Sequence, residues 1–287
     1  MKVLRFNGEF FNIKDTLECG QIFRFKEYKE GFLAYSKDKA FYCYNSGDFA
    51  IIECQDEDEE YVKNLFDLSR DYKAIYESAR SINNLVLEKA SDIGKGIRIL
   101  NQDIFEMVVS FIISQNNNIP RIKNSIEKLC QSAGEKREFL GEGYYTFPSP
   151  IALKDKDVNF YKSIGLGYRA EYLYLLIQEV IKGYDFYKLS SFKEEELYNE
   201  LLKVKGIGPK VAECIMLFGY HKTRVFPVDT WIEKVYREDF NGKLKDRKQI
   251  SNFFVNKFKE NSGYYQQYLF YYKRSFEKIE IKRGKKV

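Results

Sequence analysis

The apolar pattern of this chain changes its period at about residue 60, and this change limits the possible folds more than any other feature. Before it lie three short apolar and aromatic runs, separated by Ser-Lys-Asp-Lys and Ser-Gly-Asp, which favour turns. The runs cover residues 32–36, 40–45 and 49–54. After it, apolar residues recur at helical spacing, as in Ile104, Val108 and Phe111. Strands followed by helices, kept apart along the chain, indicate an α+β fold.

The same change suggests where the domains divide. We expect an N-terminal antiparallel sheet domain over residues 1–98 and a mainly helical region over residues 99–287. Glycine and proline residues separate the helices of this region. The spacing predicts helices over residues 194–204, 209–219, 229–239, 247–258 and 263–276.

The composition excludes several classes of protein. Of the 287 residues, 44% are hydrophobic and 17% aromatic, so the chain can bury a sizeable core and is not a disordered protein. The sequence contains one histidine and five cysteines, and no two cysteines form a CxxC pair. It therefore lacks the ligands of a zinc ribbon or an iron–sulfur cluster, and we expect no metal and no cofactor.

The cysteines and the N-terminus also suggest a location. Scattered cysteines in an odd number indicate reduced thiols, and no apolar leader or long uncharged apolar stretch is present in the sequence. We therefore expect a cytoplasmic protein without a membrane partner, nucleoid-associated in a bacterium or nuclear in a eukaryote. The net charge of +5 is by itself only weak evidence for a nucleic-acid partner.

A glycine-rich turn at Gly206-Ile207-Gly208 joins two of the predicted helices, and Pro209 occupies the first position of the second. The pattern predicts a helix–hairpin–helix over about residues 194–219. Such a turn presents backbone N–H groups and the positive end of a helix, which suit a phosphate and read no base sequence. A hairpin of this kind is also a common structural connector, so the turn alone does not decide between the two interpretations.

Lys210 and Asp229 are the candidates for chemistry. Lys210 lies one residue into the second hairpin helix, where the helix dipole and partial burial disfavour the charged amine, and an uncharged amine is a nucleophile. Asp229 precedes a helical run and is predicted to cap it, which would suffice to explain this residue if it stood alone. Together with the hairpin, the pair indicates attack on an electron-poor carbon of a sugar-phosphate chain.

At these residues the sequence resembles a known family. The segments LLKVKGIGPKVAEC and FPVDTW are similar to the hairpin and aspartate signature of the base-excision DNA glycosylase superfamily, and a lysine at position 210 is similar to its bifunctional members. More specifically, the chain resembles the 8-oxoguanine DNA glycosylases. Further matching motifs, in the same order as in the family, lie at residues 19–24, 114–121, 165–170 and 266–270.

The resemblance implies a bifunctional DNA glycosylase and abasic-site lyase, with the active-site cleft between helical domains. In the family, the residue at Lys210 attacks the anomeric carbon, expels the base and forms a Schiff base that leads to β-elimination, while the residue at Asp229 stabilises positive charge on the sugar. The implied substrate is 8-oxoguanine opposite cytosine in double-stranded DNA, flipped out of the duplex before excision. The implied phosphate contacts are at Gly206 and Gly208. We expect the protein to act as a monomer.

The resemblance also implies which residues hold the flipped base. Gln266 and Phe270 are four residues apart on one helix, where the amide would read the Watson–Crick edge and the ring would stack on the base. Cys214 would contact the other face, and its thiol is expected to ionise beside Lys210. The carbonyl of Gly20 would accept a hydrogen bond from N7–H, a proton that guanine lacks. Outside the resemblance, the cysteine, the glutamine and the phenylalanine would be core or filler residues, and the glycine an ordinary turn residue.

Four further residues match positions that handle the opposite strand. Asn116 would fill the space left by the flipped nucleotide, Tyr168 would wedge beside the orphaned base, and Arg121 and Arg169 would bind the cytosine. A polar helix cap and a surface loop are the alternative interpretations. The family often has a histidine two residues after the aspartate, at the position of Trp231, which puts a phosphate contact there in doubt. His221 is expected to be a loop residue.

Two other functions remain open from the sequence. One is a glycosylase for alkylated bases or pyrimidine lesions; Lys210 counts against the former, and the absence of a four-cysteine cluster against the latter. The other is a non-enzymatic, structure-specific protein that uses the hairpin only to contact the DNA backbone, with strongly salt-dependent binding.

Overall fold

The computed structural model describes residues 1–284, and the side chains of residues 1–275. An antiparallel five-stranded sheet in the order β1-β5-β4-β3-β2 precedes a large helical body, which confirms the predicted α+β class. A separate hairpin, β6 with β7, lies further along the chain. The strands are β1 (Lys2–Asn7), β2 (Phe25–Tyr28), β3 (Gly31–Ser36), β4 (Lys39–Ser46), β5 (Phe49–Cys54), β6 (Lys136–Phe139) and β7 (Glu142–Tyr145).

The helices account for most of the rest of the described chain. They are α1 (Ile13–Glu18), α2 (Glu59–Leu65), α3 (Tyr72–Ser81), α4 (Leu85–Gly94), α5 (Ile104–Ser114), α6 (Ile119–Ala133), α7 (Pro150–Leu153), α8 (Val158–Ser163), α9 (Arg169–Ile181), α10 (Glu194–Lys203), α11 (Pro209–Phe218), α12 (Thr230–Lys234), α13 (Arg247–Phe258) and α14 (Ser262–Gly284). Helix α12 continues into one turn of π-helix at Val235–Asp239.

The sheet is covered on both faces. Phe11 and Leu17 from the segment around α1, with Val62 and Leu65 of α2, pack on one face and are almost fully buried. On the other face, Phe139 of the β6–β7 hairpin packs against aromatic side chains of β3 and β4. An antiparallel sheet needs at least one buried face to be stable, and here the hairpin also links the sheet to the helical body.

Helix α5 runs through the centre of the helical body. Every residue from Ile104 to Ile113 is buried, and the helix packs against α6, α9 and α11. Apart from Ser110 and from Glu106, which pairs with Arg24, these side chains are apolar, and a helix that is apolar on nearly all sides belongs inside a protein. Its C-terminal end delivers the loop of Gln115 and Asn116 to the surface, beside the start of α11.

Helix α14 connects the predicted N-terminal domain to the helical region, since it packs along α4 as well as on α12 and α13. The three predicted strands coincide with β3, β4 and β5, but β1, β2 and the β6–β7 hairpin were not predicted. The domain boundary at residue 98 stays a prediction. Among the helices of the described chain, none has the length and apolar character needed to cross a membrane.

Candidate active site

The predicted helical hairpin is formed by α10, the turn at Gly206 to Gly208, and α11. Gly206 has a φ of +93°, and a methyl group placed on it would lie 2.7 Å from the ring of Tyr172, so both backbone conformation and space require glycine here. Pro209 occupies the first turn of α11. Gly208 caps this helix without a side chain, which leaves the first-turn amide groups of α11 accessible to an anion.

Lys210 lies half-buried in the first turn of α11, at the junction of two cavities. The larger cavity measures about 530 Å³ and is lined by Lys210, Asp229 and Trp231, among others. The smaller one, here called the base pocket, measures about 50 Å³ and is lined by Cys19, Gly20, Phe111, Lys210, Cys214, Phe218, Pro227, Asp229, Gln266, Gln267 and Phe270. The amine Nζ lies 5.3 Å from the centre of the Phe111 ring. A nucleophile at this junction can reach a sugar in one cavity while its base occupies the other.

Asp229 caps α12, as predicted. The amide groups of Trp231 and Ile232 donate to the same carboxylate oxygen, Oδ1, at 3.0 Å and 2.9 Å. The second oxygen takes no part in this cap. Because Asp229 lines both cavities together with Lys210, capping and an electrostatic role in the site are compatible within one side chain.

The expected ionisation of Cys214 is wrong. The thiol is fully enclosed in the core, and this burial raises its pKa above the usual value, while nearby Lys210 only partly opposes the effect. The positive end of α11 lies a full turn away from the thiol, and the helix dipole acts mainly within the first turn. Cys214 therefore offers the base pocket a neutral, polarizable surface.

Gly20 is held by its neighbour Gln21. The side-chain amide of this buried glutamine donates to the carbonyl groups of Thr16 (3.0 Å) and Arg98 (2.7 Å), and its oxygen accepts from the amide of Leu100 (2.8 Å). Gly20 itself has a φ of +93°. The network fixes the loop after α1 so that Gly20 faces the side of α14 that carries Phe270, to which a methyl group on Gly20 would approach within 3.5 Å.

Gln266 and Phe270 lie on the face of α14 that lines the base pocket. The amide nitrogen of Gln266 donates to the carbonyl of Pro227 at 3.2 Å, which fixes the orientation of the amide group. Its oxygen Oε1 is buried and has no hydrogen-bond partner within the described part of the chain. A buried acceptor without a partner is costly, and it suits a ligand that brings N–H donors.

Three of the residues assigned to the opposite strand, Asn116, Tyr168 and Arg169, meet at one corner of the molecule, here called the opposite-strand corner. Arg121 follows in the first turn of α6, and within the described residues its side chain forms no hydrogen bond or ion pair with these three. Asn116 has a φ of +44° and is exposed, as is Arg121. Tyr168 is 51% exposed and contacts the amide of Asn116. Arg169 differs from them, because its guanidinium is buried and donates to the carbonyl groups of Gln115 (2.7 Å), Asn116 (2.9 Å) and Leu166 (3.3 Å).

Sequence reasoning missed two residues at this site. Gln115 donates from its side chain to the carbonyl of Gly206 at 2.8 Å and so ties the opposite-strand corner to the hairpin. Arg274 lies one helical turn beyond Phe270, with its guanidinium carbon 5.2 Å from the centre of that ring. The spacing of four residues from Phe270, and of eight from Gln266, was the available signal for Arg274.

The structure also places His221 and Trp231, the two residues from which the sequence predicts no clear contact with DNA. His221 lies in the loop after α11, where burial lowers its pKa, and its imidazole is near Asp67 rather than at either cavity. Trp231 lines the larger cavity, with the amine of Lys234 5.1 Å from its ring centre.

Comparisons with known proteins place these features in a family. Residues 3–108 match the family described as the N-terminal domain of 8-oxoguanine DNA glycosylase. A probable N-glycosylase/DNA lyase from Methanothermobacter thermautotrophicus is 31% identical over 235 residues, which cover 75% of this chain and 74% of the relative.

Solved structures agree over nearly the whole length. The 8-oxoguanine glycosylase/lyase of Clostridium acetobutylicum, in complex with double-stranded DNA containing cytosine opposite 8-oxoguanine, superimposes with a TM-score of 0.89 at 34% identity and covers 96% of this chain and 99% of its own. Its apo form gives a TM-score of 0.89 at 36% identity, with 95% and 96% covered.

Proposed function

The chain belongs to the family of 8-oxoguanine DNA glycosylases, and on that premise we propose that it is a bifunctional N-glycosylase and abasic-site lyase in which Lys210 is the nucleophile. The observation that carries this assignment is the position of Lys210 at the junction of the base pocket and the larger cavity, with Asp229 lining both. Its substrate is 8-oxoguanine in double-stranded DNA, and the enzyme acts in base excision repair.

The chemistry follows from the amine. Uncharged Nζ of Lys210 bonds to C1′ of the flipped nucleotide, the glycosidic bond breaks, and its electron pair leaves with the base. Loss of the Nζ proton and opening of the sugar ring give a Schiff base, which acidifies C2′–H. Removal of that proton expels the 3′ phosphate by β-elimination. The Asp229 carboxylate stabilises the positive charge that develops on the sugar, an effect that is strengthened where water is excluded.

The base pocket suits a guanine-type Watson–Crick edge. That edge carries N1–H and an exocyclic amino group, and the buried, unpaired Oε1 of Gln266 is an acceptor for such donors. The Gly20 carbonyl would accept the N7–H that distinguishes the oxidised base. At about 50 Å³ the pocket is far below the roughly 300 Å³ from which ligand pockets usually start, so a two-ring base can enter only if a lining side chain moves. Phe270 is the half-buried aromatic ring of this lining, and we infer that its ring is displaced as the base enters.

At the opposite-strand corner, Asn116 and Tyr168 would occupy the gap and the stack next to the orphaned base, and Arg121 and Arg169 would bind cytosine. Arg169 can do so only by exchanging its present carbonyl partners for the base. Gly206 and Gly208 would bind a phosphate through the backbone. We expect a monomer in solution, because all of these groups come from one chain.

Borohydride trapping tests the assignment directly. The duplex carries 8-oxoguanine opposite cytosine, and reduction of the Schiff base gives a covalent protein–DNA adduct with the wild type. Lys210→Gln should form no adduct and should lose excision by about a thousandfold or more. Lys182→Gln, an exposed residue paired with Glu179, is the matched control and should trap like the wild type. An adduct that survives Lys210→Gln would refute the role. Tight binding without release of free 8-oxoguanine would favour the non-enzymatic alternative.

A further inference from the structure

Arg274 is a buried cation whose hydrogen bonding is incomplete. Its side chain lies in the core at 8% exposure, and Nη2 donates to the carbonyl of Glu18, two residues before Gly20. Nη1 is buried as well, yet no hydrogen-bond partner for it exists among the residues the structure describes. Because leaving a charged donor unpaired in the interior is expensive, this atom calls for an acceptor that arrives from outside.

The unpaired nitrogen lies beside the loop that is assigned to the oxidised edge of the base. A methyl group placed on Gly20 would lie 3.3 Å from Nη1 of Arg274 and 3.5 Å from Cε1 of Phe270. Arg274 also lines a third cavity, of about 790 Å³, which is distinct from the two cavities at Lys210 and shares Gly20 with the base pocket. Displacement of the Phe270 ring by an incoming base would therefore open the space next to Nη1.

The direction of α14 orders three side chains along the flipped base. Gln266, Phe270 and Arg274 are spaced by four residues on one helix face, so each lies about 6 Å further along the axis than the one before. Gln266 is at the end assigned to the Watson–Crick edge, and Phe270 is at the ring face. Arg274 is at the end near Gly20, where N7–H and the adjacent carbonyl oxygen O8 would lie.

We propose that Nη1 of Arg274 donates a hydrogen bond to O8 of the flipped 8-oxoguanine, an inference that rests on the proposed function. The Gly20 carbonyl and the Arg274 guanidinium then read adjacent atoms of the oxidised edge, one as acceptor and one as donor. Guanine has a hydrogen at C8 and an unprotonated N7, so it satisfies neither. As the glycosidic electron pair moves onto the leaving base, the guanidinium also stabilises the negative charge that conjugation carries to O8.

A comparison of two substrates distinguishes recognition of the base by Arg274 from a structural role of this residue. Single-turnover rates are measured for excision of 8-oxoguanine opposite cytosine, and for strand cleavage at a preformed abasic site in the same duplex. Arg274→Met keeps the bulk and removes the donors, and it should slow excision by about tenfold or more while abasic-site cleavage changes less than about twofold. Arg274→Lys keeps the charge and should recover part of the loss.

Lys273→Met is the matched control, since this neighbouring cation pairs with Glu238 and Asp239, away from the pocket, and should leave both rates unchanged.

A modified substrate tests the contact with O8 alone: in 8-thioguanine a weak sulfur acceptor replaces the oxygen while N7–H remains. The change from oxygen to sulfur should slow the wild type several-fold more than it slows Arg274→Met, which is the signature of a direct contact in a double-mutant cycle.

Three results would overturn the contact. The first is an equal loss of excision and abasic-site cleavage in Arg274→Met, which would mark a structural role. The second is no loss of excision, and the third is an equal sulfur penalty with and without Arg274. A wild type that cleaves abasic sites but releases no 8-oxoguanine would instead refute the proposed function itself.

Discussion

Three buried polar atoms in and beside the base pocket lack hydrogen-bond partners within the described residues: Oε1 of Gln266 and Oε1 of Gln267 in the pocket, and Nη1 of Arg274 next to it. At the opposite-strand corner, in contrast, the buried guanidinium of Arg169 donates to three carbonyl groups. The first region is complete only when a base fills it. The second is already complete in the free protein and must give up bonds to engage a partner. Changes in the pocket should therefore reduce function without loss of stability, and changes to Arg169 should reduce both stability and selectivity.

Asp229→Asn should give the largest effect among the tests of this comparison. Asparagine caps a helix as well as aspartate does, so the free energy of unfolding should stay within about 0.5 kcal/mol of the wild type. Loss of the negative charge should slow single-turnover excision by about a hundredfold. Chemical denaturation and a rate measurement on the same preparation check both parts. A variant that is destabilised yet normally active would reverse the roles assigned to this side chain.

Phe270→Ala should weaken binding of the lesion duplex by about 1–3 kcal/mol, because stacking on the base is lost. Binding to a duplex with a tetrahydrofuran abasic analogue should change little, since no base is present to stack. Titration of both duplexes with a Lys210→Gln background prevents turnover during the measurement. Equal weakening for both duplexes would show that the ring supports the protein rather than the base.

Arg169→Ala should lower the free energy of unfolding by about 1–3 kcal/mol, because three carbonyl groups lose a charged donor. It should also reduce the preference for cytosine over adenine opposite the lesion. Arg121→Ala, at an exposed position, should reduce the same preference with a stability change within about 0.5 kcal/mol. Excision rates against all four opposing bases, with thermal unfolding, measure both. An unchanged cytosine-to-adenine ratio in Arg169→Ala would contradict its assignment.

Cys214→Ser should have the smallest effect, and only on the shape of a pH profile. Burial raises the pKa of the thiol, so the thiol is protonated below and near its usual pKa, and the thiolate forms only at higher pH. Excision measured from about pH 6 to about pH 9 should therefore show the same profile with and without the thiol, although the absolute rate can differ. A step in the wild-type profile that disappears in Cys214→Ser would restore the ionised cysteine.

The relative placement of the candidate site residues was predictable where local spacing fixes it, although the roles of Cys214, Gln266 and Phe270 came from the family resemblance and stay predictions. Lys210 and Cys214 are four residues apart on α11, Asp229 is set by the helix that it caps, and Gln266 and Phe270 share a face of α14. Residues whose role depends on distant segments were not predictable. Arg274 meets Glu18 across 256 positions, and a pattern within one helix gives no sign of that contact.

The strands, too, were predictable from the sequence only where the pairing is local. The β3, β4 and β5 runs are consecutive and joined by short turns, so sequence spacing reveals them. Strand β1 pairs with β5 across more than forty residues, and the middle of the four-residue strand β2 is exposed and charged, at Lys26 and Glu27, so neither strand shows a local signature. The predicted ionisation of Cys214 is wrong for a related reason, because burial depends on what packs around the thiol rather than on its neighbours in sequence.

Trp231 is an intrinsic fluorophore, so no label has to be attached to the protein. It is the only tryptophan in the sequence, and it forms part of the wall of the cavity that holds Lys210 and Asp229. Indole fluorescence responds to the polarity around the ring, so the emission wavelength and intensity should change when a nucleotide displaces solvent from that wall. The arrival and departure of DNA could thus be followed in real time with unlabelled enzyme and unlabelled substrate, at a single point beside the reacting atoms.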